Sequence, residues 1–274
     1  MHRSSQIAEG MEVKQGIRRN FARRARSYDR HASMQRRMAH GLVAEVGPWL
    51  ARARCILEIG CGTGYLTQLL RQANGQARLT SLDLDAALVA AARRRLGPEA
   101  GVDWLVADGE TPIRGKYDLI IANATFQWFT RPGETLAAYY RNLVPGGVLA
   151  FSTLGPGTFQ ELADALAQAA RSLKLPAVPS IPAQGFGDRE TWADHLYRAG
   201  FHQARLAWEV LTTTFPSVPD FLRALQATGA TNPLPRPIFP RLLTAIVAAY
   251  QDRHGQNGAI PVSYEMIRAV AHKW

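Results

Sequence analysis

The segment Leu57-Glu58-Ile59-Gly60-Cys61-Gly62-Thr63-Gly64 constrains the fold more than any other stretch of the chain. The apolar run Cys55-Ile56-Leu57 leads into it and a helix-like stretch follows, so the order reads as strand, glycine turn, helix start. Glycines at alternate positions let the backbone take positive φ and let a ligand lie against it with no Cβ in the way. A dinucleotide fingerprint needs glycine at position 65, where this chain has Tyr65. Glu58, two residues before the first glycine, would also repel phosphate oxygens. The turn therefore suits a nucleoside ligand that carries positive charge better than a pyrophosphate. A glycine-rich turn also occurs as a plain structural loop, and its place directly after a strand is what favours the ligand.

The strand ends downstream point the same way. The pattern predicts a second strand over 79–84, which presents Asp83 19 residues after the last glycine. An acid about 20 residues on is the expected ribose ligand. A third strand over 102–106 leads to Asp108-Gly109, where a carboxylate can accept from an adenine amino group. A fourth, over 117–122, ends at Asn123. Acidic or amide residues at four successive strand ends place one ligand along the carboxyl edge of a parallel sheet, where open α/β sheets bind ligands. Each of these residue types also caps helices, but caps alone account poorly for four in this order.

Strand and helix signals keep alternating: a helix over 135–143, a Pro145-Gly146-Gly147 turn and a fifth strand over 148–153 complete a βα core. Beyond it the pattern predicts a helix over 159–173, a surface loop over 176–187, a helix over 189–199 ended by Gly200, and a strand over 204–215. Helices over 218–228 and 239–254 precede a last strand over 264–271. The whole, 1–274, reads as one domain: a cofactor-binding core over 51–153, an N-terminal helical lid over 12–50 and a late helical cap over 216–258, both covering the carboxyl edge.

The 274 residues can bury a full core, and 47% hydrophobic with 20% charged is ordinary for a soluble globular protein. No apolar run reaches the roughly 18 residues of a membrane span, and residues 1–10 lack the apolar centre of a secretory signal, so a cytoplasmic protein off the membrane is expected. Only Cys55 and Cys61 are present, without metal-ligand spacing around them; neither a disulfide nor a metal site is expected. The net charge of +10, with arginines concentrated at Arg18, Arg19, Arg23, Arg24, Arg26, Arg30, Arg36 and Arg37, attracts a polyanion: nucleic acid, acidic membrane or acidic protein. A solvated arginine-rich helix face accounts for the same spacing. RNA recognition motifs with stacked aromatics are not evident, and Asn123 is followed by Ala124 rather than by the Pro-Pro-Tyr of nucleic-acid methylation motifs.

The glycine turn and the strand-end acids, over 54–153, resemble the class I S-adenosylmethionine-dependent methyltransferases, a Rossmann-like α/β fold with a mostly parallel sheet flanked by helices. More specific segments lie outside that core. The stretch from Phe21-Ala22-Arg23-Arg24 through Tyr28-Asp29-Arg30-His31-Ala32 to Gln35 is similar to the N-terminal signature of the malonyl-acyl-carrier-protein O-methyltransferases of biotin synthesis. So are Asn123-Ala124-Thr125-Phe126-Gln127-Trp128, the run from Phe151 to Leu162, the run from Leu225 to Asn232, and Tyr264-Glu265-Met266-Ile267.

The resemblance implies methylation of the free carboxylate of a malonyl thioester, on acyl carrier protein or coenzyme A, with S-adenosylmethionine as the methyl donor. Acyl carrier protein is acidic, which gives the arginine excess a protein partner rather than nucleic acid or membrane. The residues expected nearest the transferred methyl are Tyr28, Gln127 and Trp128; a phenol on a helix surface, an amide cap and a core indole are their plain alternatives. The cofactor set expected from turn and strand ends is Tyr28, Gln35, Glu58, Gly60, Cys61, Gly62, Gly64, Asp83, Leu84, Asp108, Gly109 and Asn123. Two alternatives stay open, a related small-molecule O-methyltransferase and a silent cofactor-binding module; oligomeric state is not legible.

Overall fold

The computed structural model describes residues 32–111, 113–227 and 239–274. Tyr28, the arginines from Arg18 to Arg30 and most of the motif from Leu225 to Asn232 lie outside the described residues. Seven strands form one sheet: β1 (Cys55–Ile59), β2 (Arg78–Asp83), β3 (Val102–Val106), β4 (Tyr117–Asn123), β5 (Leu143–Leu154), β6 (Ala204–Phe215) and β7 (Ile260–His272). Their order is β3-β2-β1-β4-β5-β7-β6. The first five are parallel, and β7 runs antiparallel between β5 and β6.

The central strands are apolar on both faces because helices cover both. In β4, Leu119, Ile120, Ile121 and Ala122 are all buried, as continuous parallel-strand burial requires. One face receives α1 (Ser33–Leu50) and α2 (Tyr65–Ala73), through Ala39, Leu42, Val46, Leu66 and Leu70. The other receives α4 (Pro132–Asn142) and α6 (Arg189–Arg198), through Leu136, Tyr139, Trp192 and Leu196; α3 (Ala86–Leu96) covers β2 and β3. The described part of the N-terminal segment, α1, is thus a layer of the sheet core.

The chain leaves β1 outward to β2 and β3, then returns to the other side of β1 for β4 and β5. Strand order reverses between β1 and β4, and the crevice at that switch point is the ligand position of an open α/β sheet.

Helices α5 (Gln160–Ser172), α7 (Val218–Ala227) and α8 (Pro240–His254) build a separate apolar cluster with Ile260 and Val262. Because Met266 pairs with Leu154 at the end of β5, residues 260–265 extend past the carboxyl edge, and the cluster sits there. The expected surface loop over 176–187 is partly a wall of this cluster. It contains a short 3₁₀ turn at Pro182–Gly185, with Ile181 and Ala183 buried. Among the described residues no helix is long and apolar enough to cross a membrane.

Candidate functional site

The three turn glycines have positive φ, +71° at Gly60, +53° at Gly62 and +85° at Gly64, and each answers a different constraint. A Cβ on Gly60 would fall 2.3 Å from Thr125 Oγ1, and one on Gly64 2.9 Å from Ala92 Cβ on α3. Among the described residues, a Cβ on Gly62 would meet nothing within 4 Å. Gly60 and Gly64 are therefore demanded by packing, while Gly62 borders open space against the backbone. The turn is pinned to β2: Cys61 N donates to Leu82 O (2.9 Å) and Gly62 N to Asp83 Oδ2 (2.9 Å). From α3, Arg95 Nη1 donates to Thr63 O at 3.1 Å.

Asp83 ends β2 half-buried, its Oδ1 accepting from Asp85 N at 3.0 Å. Each carboxylate oxygen accepts one backbone N–H and keeps a further acceptor position. Burial pushes its pKa up to about 6, against the backbone N–H groups of Asp85, Gly62 and Leu84 that hold it down. Leu84 follows half-buried, and Asp85 caps α3.

Glu58 behaves differently from the expectation that it faces the ligand. It is fully buried beneath the turn, and its Oε2 accepts from Thr67 Oγ1 (2.6 Å) and Ser81 Oγ (2.7 Å), joining β1 to α2 and β2. Its Oε1 has no partner. Burial pushes its carboxyl from 4.5 up to about 7, and the neighbouring charge of Asp83 adds to the rise.

Past β3, Asp108 Oδ1 accepts from Glu110 N at 2.9 Å. Gly109 is forced by packing, since a Cβ there would lie 2.6 Å from Ile59 Cγ2; its carbonyl accepts from Tyr139 Oη at 2.7 Å. At the end of β4, Asn123 Nδ2 donates to Gln35 O on α1 (3.0 Å) and its Oδ1 accepts from Ser152 Oγ on β5 (2.6 Å). The backbone then turns sharply through Ala124, at φ +52°. Both polar atoms of the Gln127 amide are engaged: Nε2 donates to Ala124 O (2.8 Å), and Oε1 accepts from Thr153 Oγ1 (2.9 Å). The half-buried Trp128 ring meets Phe186 edge-on at 5.5 Å.

An open cleft of ≈ 400 Å³, counting the solvent at its mouth, lies between the glycine turn, the end of β4 and the first turn of α1. It brings together Gln35, Gly60, Cys61, Gly62 and Asn123 from the expected set. Asp83 is one hydrogen bond away through Gly62. Glu58 lies below it, Gly64 leads into α2 and packs against α3, and Gln127 and Trp128 stand beyond Asn123 on the β5 side. The sequence reading missed Ala32, Arg36, Thr63, Tyr65 and Leu66 as lining residues. Arg36 had been grouped with arginines of a surface field, and only the helix phase at Gln35 could have separated it.

Residues 57–149 match the family model described as a methyltransferase domain. The chain is 38% identical over 268 residues to a malonyl-[acyl-carrier protein] O-methyltransferase of Anoxybacillus flavithermus, covering 95% of this chain and 98% of that one. A protein of the same name from Priestia megaterium is 35% identical, covering 93% and 96%. Among solved structures, the YcgJ protein of Bacillus subtilis aligns with a TM-score of 0.56 at 14% identity, covering 85% of this chain and 98% of that one. The plantazolicin methyltransferase BamL, solved with S-adenosylhomocysteine, aligns at 0.51 and 13% identity, covering 95% and 99%. These structural likenesses concern the fold, whereas identity across nearly the full length of both sequences fixes the lineage: the chain belongs to the malonyl-[acyl-carrier protein] O-methyltransferase family.

Proposed function

We propose that the protein transfers a methyl group from S-adenosylmethionine to the free carboxylate of a malonyl thioester carried on acyl carrier protein, the step that opens the pimelate branch of biotin synthesis. The observation that carries this reading is full-length identity to proteins of that name, joined to a cleft at the switch point of the sheet. The cleft suits the donor. Gly62 leaves room for close approach, and Asp83 keeps acceptor positions for two hydroxyls. Asp108 lies one strand further along the same edge, suited to an amino-bearing base. When bound, S-adenosylmethionine supplies an electrophilic methyl group on a sulfonium.

A malonyl carboxylate, with an ordinary pKa of about 4, is ionised near neutral pH and needs no general base. The chain's task is then to hold that carboxylate in place and to exclude water. We assign Gln127 to positioning, since its amide locks the turn after β4 onto Thr153 of β5. Trp128, against Phe186, forms a wall on the acceptor side, and Tyr28 belongs to a lid over it. The late helices α7 and α8 cap the same edge. A net charge of +10 suits an acidic carrier. Incubation with methyl-labelled cofactor and malonyl carrier protein, followed by mass analysis, should show one added methyl on the malonyl group. Turnover of a phenol or another small acid, with malonyl carrier protein left unmodified, would replace this reading.

A further inference from the structure

The turn that carries Gln127 and Trp128 is tied to the sheet edge from two sides. A ring stack holds its root, with Phe126 against Phe151 at 4.4 Å and against Phe129 at 4.5 Å. Toward β5 the tie runs from Gln127 Oε1 to Thr153 Oγ1. Toward β3 it is made by Glu110, a buried carboxylate in the loop after that strand. Glu110 Oε2 accepts from Thr130 N and from Thr130 Oγ1, both at 3.0 Å, and its Oε1 accepts from Arg131 N at 2.5 Å. These donors stand directly before Pro132, the first residue of α4, where the helix dipole also favours a negative charge.

The other end of this tie is the loop that carries Asp108. Glu110 N donates to Asp108 Oδ1 at 2.9 Å, and the intervening Gly109 carbonyl accepts from Tyr139 Oη on α4. In the order β3-β2-β1-β4 the two loops leave strands with β2 and β1 between them, roughly 14 Å apart at the usual strand spacing. The Glu110 carboxylate fixes one loop against the other across that span. A carboxylate suits the task because it only accepts: three donors converge on it, and an amide would set its own N–H₂ against one of them.

We infer that Glu110 is a positioning residue for methyl transfer: through Thr130 and Arg131 it sets where the turn of Gln127 and Trp128 stands relative to the loop of Asp108. The inference rests on the proposed methyl transfer, under which Asp108 faces the donor while Gln127 and Trp128 face the acceptor. Transfer needs the reacting oxygen in line with the methyl group, and a misplacement of about 1 Å costs about 100-fold in rate. Asp83 and the glycine turn are held to each other by bonds that do not involve Glu110. Loss of the tie therefore falls on the rate of transfer and spares donor affinity.

The test uses the full chain and its Glu110→Gln, Thr130→Val and Thr130→Ser variants, with folding checked by circular dichroism and melting curves. Single-turnover transfer from S-adenosylmethionine to saturating malonyl carrier protein gives the rate of the chemical step, and calorimetry gives the affinity for S-adenosylhomocysteine. Glu110→Gln should slow transfer by about 10- to 100-fold and leave S-adenosylhomocysteine affinity within about threefold of the parent. Thr130→Val removes one of the three donors and should slow transfer by about 3- to 10-fold; Thr130→Ser restores the hydroxyl and should return the parental rate. Should Glu110→Gln fail to fold, the Thr130 pair decides. Lower melting temperatures with unchanged transfer rates would make the tie merely structural and overturn the inference. So would an equal loss of donor affinity, or a Thr130→Ser protein as slow as Thr130→Val. Failure of the unaltered protein to methylate malonyl carrier protein is a separate result, which overturns the proposed function and this inference with it.

Discussion

Replacing Glu58 by glutamine should reshape the pH dependence of stability, because this carboxyl is buried without a cation. In the folded protein it titrates at about 7, against 4.5 for the ordinary group. Between those values the folded state holds a proton that the unfolded chain has released. Stability from this residue is thus fully present below about pH 4.5 and is lost as pH rises through about 7. The whole loss is about 3 kcal/mol at about 1.4 kcal/mol per pH decade, of which about 2–3 falls between about pH 5 and about pH 8.5. Glutamine keeps an acceptor for Thr67 and Ser81 but sets an amide N–H₂ where Oε1 has no partner, a pH-independent cost of about 1–3 kcal/mol. The variant should therefore melt below the parent at about pH 5 and close most of that gap by about pH 8.5. At about 2–4 °C per kcal/mol the gap should narrow by about 5–10 °C. Melting curves of the ligand-free proteins at both pH values provide the check. A gap that stays constant would mean that Glu58 is ionised throughout and would refute burial as the cause.

Three further outcomes are expected. Asp83→Ala should weaken cofactor binding by about 1.5–3 kcal/mol, the range for hydrogen bonds to a charged group, and unchanged calorimetric affinity in the folded variant would move the ribose site elsewhere. Gly64→Ala forces a Cβ to 2.9 Å from Ala92 at φ +85° and should lower the melting temperature of the ligand-free protein. Gly62→Ala meets no atom of the described residues within 4 Å, so it should cost only the strain of about 1–2 kcal/mol in stability while disproportionately weakening cofactor affinity; the reverse ranking would dismiss the open face at Gly62. In single turnover the chemical step should vary little between about pH 6 and about pH 8.5, since the acceptor is ionised before it binds, and a steep rise abolished by Tyr28→Phe would make Tyr28 a base.

The elements that sequence pattern placed best are those whose burial repeats regularly. The strands over 102–106 and 204–215 occur with those bounds, and β6 alternates half-buried and exposed residues as an edge strand covered on one face does. Pattern failed where backbone punctuation misled. The last strand, expected over 264–271, begins at Ile260 and takes in Pro261. The proline pairs near the strand's end, opposite Thr214, and its carbonyl accepts from Tyr250 Oη. Pro145-Gly146-Gly147 read as a turn before β5, whereas the strand starts at Leu143 and absorbs the glycines as a register shift opposite Tyr117 and Leu119. Helix α4 starts at Pro132 rather than at 135 because proline suits the first helical position. In the candidate site the spacing signals found the residues of the turn and strand ends but not where each side chain points. Glu58 showed this most clearly: strand alternation turned it away from the cleft, into the space under α2.

What spacing could not reveal is how the strand ends hold one another, because the partners are far apart in sequence. Asn123 meets Ser152 and Gln35, Gln127 meets Thr153, and Glu110 Oε2 accepts from Thr130 across the loops after β3 and β4. Asn123 illustrates the constraint. Its position requires a side chain that donates and accepts at once: the amide nitrogen gives to a helix carbonyl on α1 while the oxygen takes from β5. An aspartate would satisfy Ser152 but would set a negative oxygen against the Gln35 carbonyl, pushing away the helix turn that carries Arg36. The same strand-end position that is acidic on β2 is thus an amide on β4. On β2 the carboxylate accepts from backbone N–H groups, while on β4 the side chain must join a carbonyl on one side to a hydroxyl on the other. That difference puts a carboxylate on the β2 side of the glycine turn and a neutral amide on the β4 side.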